Sequence, residues 1–255
     1  MPERLLCAAI VAYCLQCKYT GLQPYISAVR NWHIQHGLGD LRRGHLFHDV
    51  KKGIINTFSL RSGPLPKRPI AIQDLRAFRR CLNLRSSTHI KIFAECLVAF
   101  FGLLRMSEHV GQAMRWKHIE FTPWGVTLTI PFSKTNLRPV QIPLAARGDD
   151  LCPRQALLRL RDSTPSPKPS KPVFGWSRST FATILRKVIS FSLNVDPTAY
   201  SGHSFRRGGT TALHTAGVSP TMIKIHGRWK SNCFERYIDM SVIQRISPTV
   251  ALLHL

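Results

Sequence analysis

The stretch RSGPLPKRP, residues 61–69, packs three prolines and a glycine into nine residues. Proline lacks the amide proton that helices and strands use, and it forces the residue before it into extended backbone. Regular structure therefore stops here, and the chain must build its cores on either side of a basic connector. We place one domain at residues 1–62 and a second at 67–255. The 255 residues are enough for both.

Helical periodicity dominates on both sides. In the first domain, Tyr25, Ala28, Val29 and Trp32 follow Pro24 at the spacing of one buried stripe. The run LLCAAIVAYCL, residues 5–15, resembles the apolar part of a secretion signal, but it is too short to span a bilayer and Glu3 interrupts its positive leader. A buried helix is the expectation. The second domain opens with a helix at IQDLRAFRRCL, followed by IKIFAECLVAFFGLLR, a strongly apolar helix expected to end at Arg105. VTLTIPF and RPVQIPL alternate as strands around the polar turn SKTN, which predicts a hairpin. Helices return at PRQALLRLR, at STFATILRKVISF, after His203, at SPTMIKIHG with Ser219 as cap, and at SNCFERYIDM. The fold class is mainly α: an N-terminal helical bundle, then a mostly helical domain holding a small antiparallel hairpin or sheet.

Thirty-six Lys and Arg face 13 acidic residues, a formal charge of +23. Such an imbalance points to a polyanionic partner. Nucleic acid is favoured over a membrane surface because the basic residues are spread over every segment instead of lining one amphipathic helix. Seven cysteines, an odd number, make a poor disulfide framework and place the chain in a reducing compartment. Cys14 and Cys17 in CLQC, with His33 and His36 downstream, invite a zinc-finger reading. Finger pairs are usually separated by about 12 residues and the spacing here is longer, so no metal is assigned.

Five further residues need a joint explanation: Arg105, Lys134, His203, Arg206 and Tyr237. Taken singly, each has an ordinary reading as a solvated helix end, a surface lysine or a half-buried aromatic. Phosphoryl transfer gives them a common purpose. Two forked guanidiniums, Arg105 and Arg206, can grip the charge that gathers on a phosphodiester under attack. Lys134, on a hairpin, can protonate a leaving oxygen, and His203 can trade protons near neutral pH. The Tyr237 phenol can attack phosphorus and conserve the bond energy as a covalent ester. This chemistry requires no metal and no cofactor.

The segments FGLLRMSE, SKTN, GHSFRRGGTTALHTAGV and IHGRWKSNCFERYI resemble the boxes of the tyrosine recombinase (lambda-integrase-like) superfamily. Their wording is closest to the recombinases of Crypton and DIRS-type mobile elements. The resemblance covers about residues 67–245 and implies a site-specific recombinase or integrase that cuts and rejoins DNA through a 3′-phosphotyrosyl intermediate. It implies Arg105, Lys134, His203, Arg206 and Tyr237 in catalytic roles, with Trp229 where many members carry a second histidine. An indole N–H donates a hydrogen bond but shuttles no proton. Tyr200, which precedes the His-x-x-Arg box, is a lower-ranked rival nucleophile. Arg207, Arg228 and Lys230 are expected to bind double-stranded DNA, Arg207 through a backbone phosphate. The first domain is similar to the family's core-binding domain, which would clamp duplex DNA together with the catalytic domain. The resemblance further implies a tetramer on DNA, action in the nucleus, and a further extension N-terminal to this sequence. Two alternatives stay open: a non-cutting DNA-binding descendant of such an enzyme, and a type IB-like topoisomerase.

Overall fold

The apolar run near the N-terminus becomes helix α1 (Glu3–Gln16) in the computed structural model, which describes residues 3–16, 22–40, 45–62, 67–131 and 138–238. The chain divides into two compact units, residues 1–65 and 66–255. In the first unit, α1 turns Leu6, Cys7, Ile10 and Cys14 inward against Ile26 of α2 (Leu22–Gln35) and Phe47 and Ile54 of α3 (His45–Ser62). Glu3 Oε1 accepts the Phe47 N–H at 2.8 Å, which puts a carboxylate at the start of α3, where the helix dipole favours it. No helix among the described residues is long and apolar enough to cross a membrane.

Two details differ from the sequence reading. The buried stripe of α2 runs through Ile26 and His33, while Tyr25 and Trp32 are more than half exposed. The aliphatic Ile26 fills the space between helices. The amphipathic aromatics instead keep their polar ends near water, Tyr25 against the Tyr13 ring and Trp32 stacked on His36. The second difference is that α3 carries Arg61 and Ser62, so helix extends into the expected connector. Cys14 is buried in this unit's core, and Cys17 lies outside the described residues.

The second unit is organised around α5 (Ser87–Phe101). This helix is apolar on all sides, so it has to be covered on all sides. Ile92, Phe93, Cys96, Leu97 and Phe100 pack with α4 (Ile72–Cys81), α8 (Arg178–Leu193) and Phe205 of α9 (His203–Thr215). Ile90, Ala94 and Val98 pack with α7 (Pro153–Asp162) and a three-stranded antiparallel sheet. The sheet pairs β1 (Ile119–Thr122) with β2 (Gly125–Ile130), and β2 with β3 (Val140–Ala145) in the register Ile130↔Val140. The β2–β3 pairing is the expected hairpin, and β1 extends it into a sheet. Its polar turn, with Lys134, lies outside the described residues.

Glu95 sits on α5 with no exposed surface. It accepts a hydrogen bond from His109 Nδ1 at 2.8 Å and one from Trp176 Nε1 at 2.5 Å. Burial raises its carboxyl pKa, and the two donors work against that rise. His109 closes the short helix α6 (Met106–His109), so this buried polar pair pins α6 to the central helix.

Candidate active site

The site begins where α5 ends. The helix stops at Phe101 instead of continuing to Arg105, because the chain turns sharply through Gly102 and Leu103, and Leu103 takes a left-handed φ of +46°. The turn makes Arg105 the residue that caps α6. Glu108, one turn on, reaches back: its Oε2 accepts the Arg105 backbone N–H and its Oε1 accepts from Arg105 Nη1, both at 2.8 Å. Arg105 keeps a quarter of its side chain exposed, whereas Glu108 is buried.

Helix α9 supplies the opposite wall. His203 stands exposed at its first turn, and Arg206 lies on its inner face with 1% exposure. Nη1 of Arg206 donates to the Leu103 carbonyl, and Nη2 donates to the Gly227 carbonyl at 2.5 Å. The third wall follows α10 (Pro220–His226), whose cap Ser219 accepts the Met222 N–H. Here the Trp229 ring lies flat on Gly227, so closely that a methyl group on Gly227 would fall 1.5 Å from the indole. The Arg206 guanidinium sits 3.9 Å from the centre of that ring, a cation–π contact in a dry setting. Tyr237 ends a 3-10 turn, Asn232–Tyr237, where a longer α-helix was expected. Its ring is 5.5 Å from that of Trp229 and 5.9 Å from the Arg206 guanidinium.

The cluster is unevenly charged. Three guanidiniums, Arg105, Arg206 and Arg228, surround one carboxylate, that of Glu108. Burial lowers the Arg206 pKa to about 9, and Arg228 and Arg105 add to the effect. Burial would raise Glu108, but Arg228 and then Arg105 outweigh it and hold the acid below its ordinary range. Partial burial of the imidazole, followed by Arg206 and Arg105, lowers the His203 pKa and favours the neutral ring. A cluster with surplus positive charge favours an anion, and the Tyr237 ring lies beside it.

No family model matches the chain, and no curated protein matches it in sequence. Solved structures do match. The Tn1549 transposon integrase (aa 82–397), in complex with circular intermediate DNA, aligns over 98% of this chain and 85% of its own, with a TM-score of 0.66 at 12% identity. XerH site-specific recombinase bound to palindromic difH substrate aligns over 100% and 73%, at 0.62 and 10%. XerA recombinase aligns over 99% and 90%, at 0.55 and 13%. The chain has the tyrosine recombinase fold.

Within the tyrosine recombinase fold, four of the five jointly read residues come together: Arg105, His203, Arg206 and Tyr237. Lys134 lies outside the described residues. Trp229 is a buried platform beneath Arg206 and Tyr237. Tyr200 packs instead on the core beside α8, where burial raises its pKa. Lys230 is exposed, and Arg207 is half-buried with Nη1 on the Lys67 carbonyl at 3.3 Å. Arg228 corrects the sequence reading. It was expected to bind DNA, yet it is 9% exposed and its guanidinium is turned inward onto Glu108. Glu108 had been assigned no role. Its signal was an acid three residues after Arg105 at a helix start, the spacing at which a side chain returns to the cap.

Proposed function

We propose that this chain is a site-specific DNA recombinase that breaks and rejoins duplex DNA through a covalent link to Tyr237. The observation that carries this reading is the gathering of Tyr237 with Arg105, His203 and Arg206 in one positively charged cluster. Tyr237 Oη bonds to phosphorus while the bond to the 5′ oxygen breaks, which leaves a 3′-phosphotyrosine. The phenolic proton passes to His203, and the departing 5′ oxygen takes one from Lys134. Reversal with a different 5′ hydroxyl rejoins the strands. Arg206 rests on the Trp229 ring with the Tyr237 ring 5.9 Å away, so its charge lies close to the phosphate that Tyr237 attacks. The N-terminal helical unit serves as a core-binding domain, the working assembly is a tetramer on DNA, and the source is a eukaryotic mobile element of the Crypton or DIRS type acting in the nucleus.

The test uses a pool of end-labelled, nicked duplexes of randomised sequence, resolved by denaturing electrophoresis. Wild-type protein should retain label covalently and Tyr237→Phe should not, with both binding the pool equally. Label retained by Tyr237→Phe, or none retained by wild type, rejects the reading.

The lowered pKa of His203 adds a pH signature. A neutral imidazole accepts the proton, so the single-turnover rate should hold as pH falls through about 6.5, the ordinary histidine value, and decline only below it. In His203→Gln that acid limb should vanish and the remaining slow rate should be flat over the same range.

A further inference from the structure

We propose that Arg228 is a positioning residue: from the interior it holds Glu108 and the Leu103 carbonyl, and through them it sets both arginines that face the substrate. The inference rests on the recombinase reading and adds a residue to its machinery.

The geometry is specific. Arg228 Nη2 donates to Glu108 Oε2 at 2.8 Å and to the Leu103 carbonyl at 3.1 Å. Nη1 donates to the carbonyls of Gly102 at 3.1 Å and His226 at 3.0 Å. One side chain thus ties together the turn after α5, helix α6 and the end of α10. Each of its first two acceptors is shared with a proposed clamp residue. Glu108 also holds Arg105 by side chain and backbone, and the Leu103 carbonyl also receives Arg206 Nη1. Arg228 is buried with both Nη atoms engaged, and its one unpartnered donor, Nε, is buried as well. A lysine could not replace it, since a single ammonium cannot span acceptors on three elements as a planar fork does.

Backbone and charge support the same role. Arg228 adopts φ +60°, a left-handed conformation that long side chains avoid, and a non-glycine residue kept there implies that its side chain is needed. Glu108 is faced by Arg105, Arg206 and Arg228, and across a cavity of about 360 Å³ by Arg115, Lys117 and His118. If Arg228 were absent, the buried Glu108 would keep hydrogen bonds from Arg105 alone and pull its guanidinium inward. With Arg228 behind it, the acid is neutralised from within and Arg105 stays at the surface.

The experiment compares wild type with Arg228→Gly, which suits the backbone and deletes the side chain, and with Arg228→Lys. Adduct formation is followed in single turnover on the nicked duplex pool from pH 5 to 9, and DNA affinity is measured across a salt series. Arg228→Gly should bind with unchanged affinity and salt dependence but form adduct about 100-fold more slowly. A second acid limb should appear at higher pH than the one His203 gives, because Glu108 loses an opposing charge while staying buried. Arg228→Lys should recover little of the rate, and adding Glu108→Gln to Arg228→Gly should cost no further rate. Should Arg228→Gly fail to fold by circular dichroism, Arg228→Lys carries the test, and its slowed cleavage with intact binding is the supporting result. A salt slope flattened by about one with normal cleavage of bound DNA would instead make Arg228 a phosphate contact and overturn the proposal. Wild-type rates in both variants overturn it too. Wild-type protein that forms no adduct rejects the recombinase reading itself.

Discussion

Arg206→Ala should slow single-turnover adduct formation about a thousandfold, roughly 4 kcal/mol of transition-state stabilisation. Duplex DNA should remain bound, since affinity for a long polyanion is spread over many phosphate contacts. The size of the effect follows from burial. A guanidinium with 1% exposure, stacked on Trp229, acts where water does not screen it, and its Nη atoms are fixed by the Leu103 and Gly227 carbonyls before any substrate arrives. Arg206→Lys should rescue poorly because one ammonium cannot reach both carbonyls and a phosphate. Rapid-quench kinetics on a nicked duplex, with a salt-dependent binding isotherm for each variant, would check both statements. A rate within tenfold of wild type for Arg206→Ala would remove this residue from the chemistry.

Gly208→Ala should destabilise the second unit by at least about 3 kcal/mol. A β-carbon at Gly208 would lie 1.7 Å from the Ile70 carbonyl oxygen, and one at Gly209 would lie 2.4 Å from the Phe100 carbonyl oxygen. Both obstacles are backbone, so relief requires moving α9 away from α5 and from the segment at Ile70. The paired glycines let α9 approach closely enough for Arg206 to reach the Leu103 carbonyl. Gly217→Ala is the control: φ there is +76° but nothing lies within 4 Å, so the cost should be only about 1–2 kcal/mol of backbone strain. Denaturant unfolding of the three proteins measures the contrast, and equal midpoints for Gly208→Ala and Gly217→Ala would contradict the packing argument.

The long periodic elements were legible in advance because their faces are strongly apolar and their caps are explicit. Helices α4, α7, α8 and α10 lie where Ser219, Pro153 and the apolar spacing place them. The end of α5 was not, since FGLLR continues the apolar pattern while the backbone has already turned at Leu103. Strand β1 was missed because four residues reading IEFT alternate too briefly to stand out. At the site, Arg105, His203, Arg206 and Tyr237 could be singled out by residue type and order. Arg228 was misread for a physical reason. In a chain of +23, one more arginine beside Trp229 looks like surface charge, and only a left-handed backbone turns it inward.

Every described residue that surrounds Arg206 belongs to the stretch from residue 66 onward, and the N-terminal bundle has a core of its own. The arrangement around Arg206 is thus encoded within the second unit. A substitution inside the bundle's core, at Ile26 or Phe47 for instance, should therefore leave the contacts of Arg206 as they are.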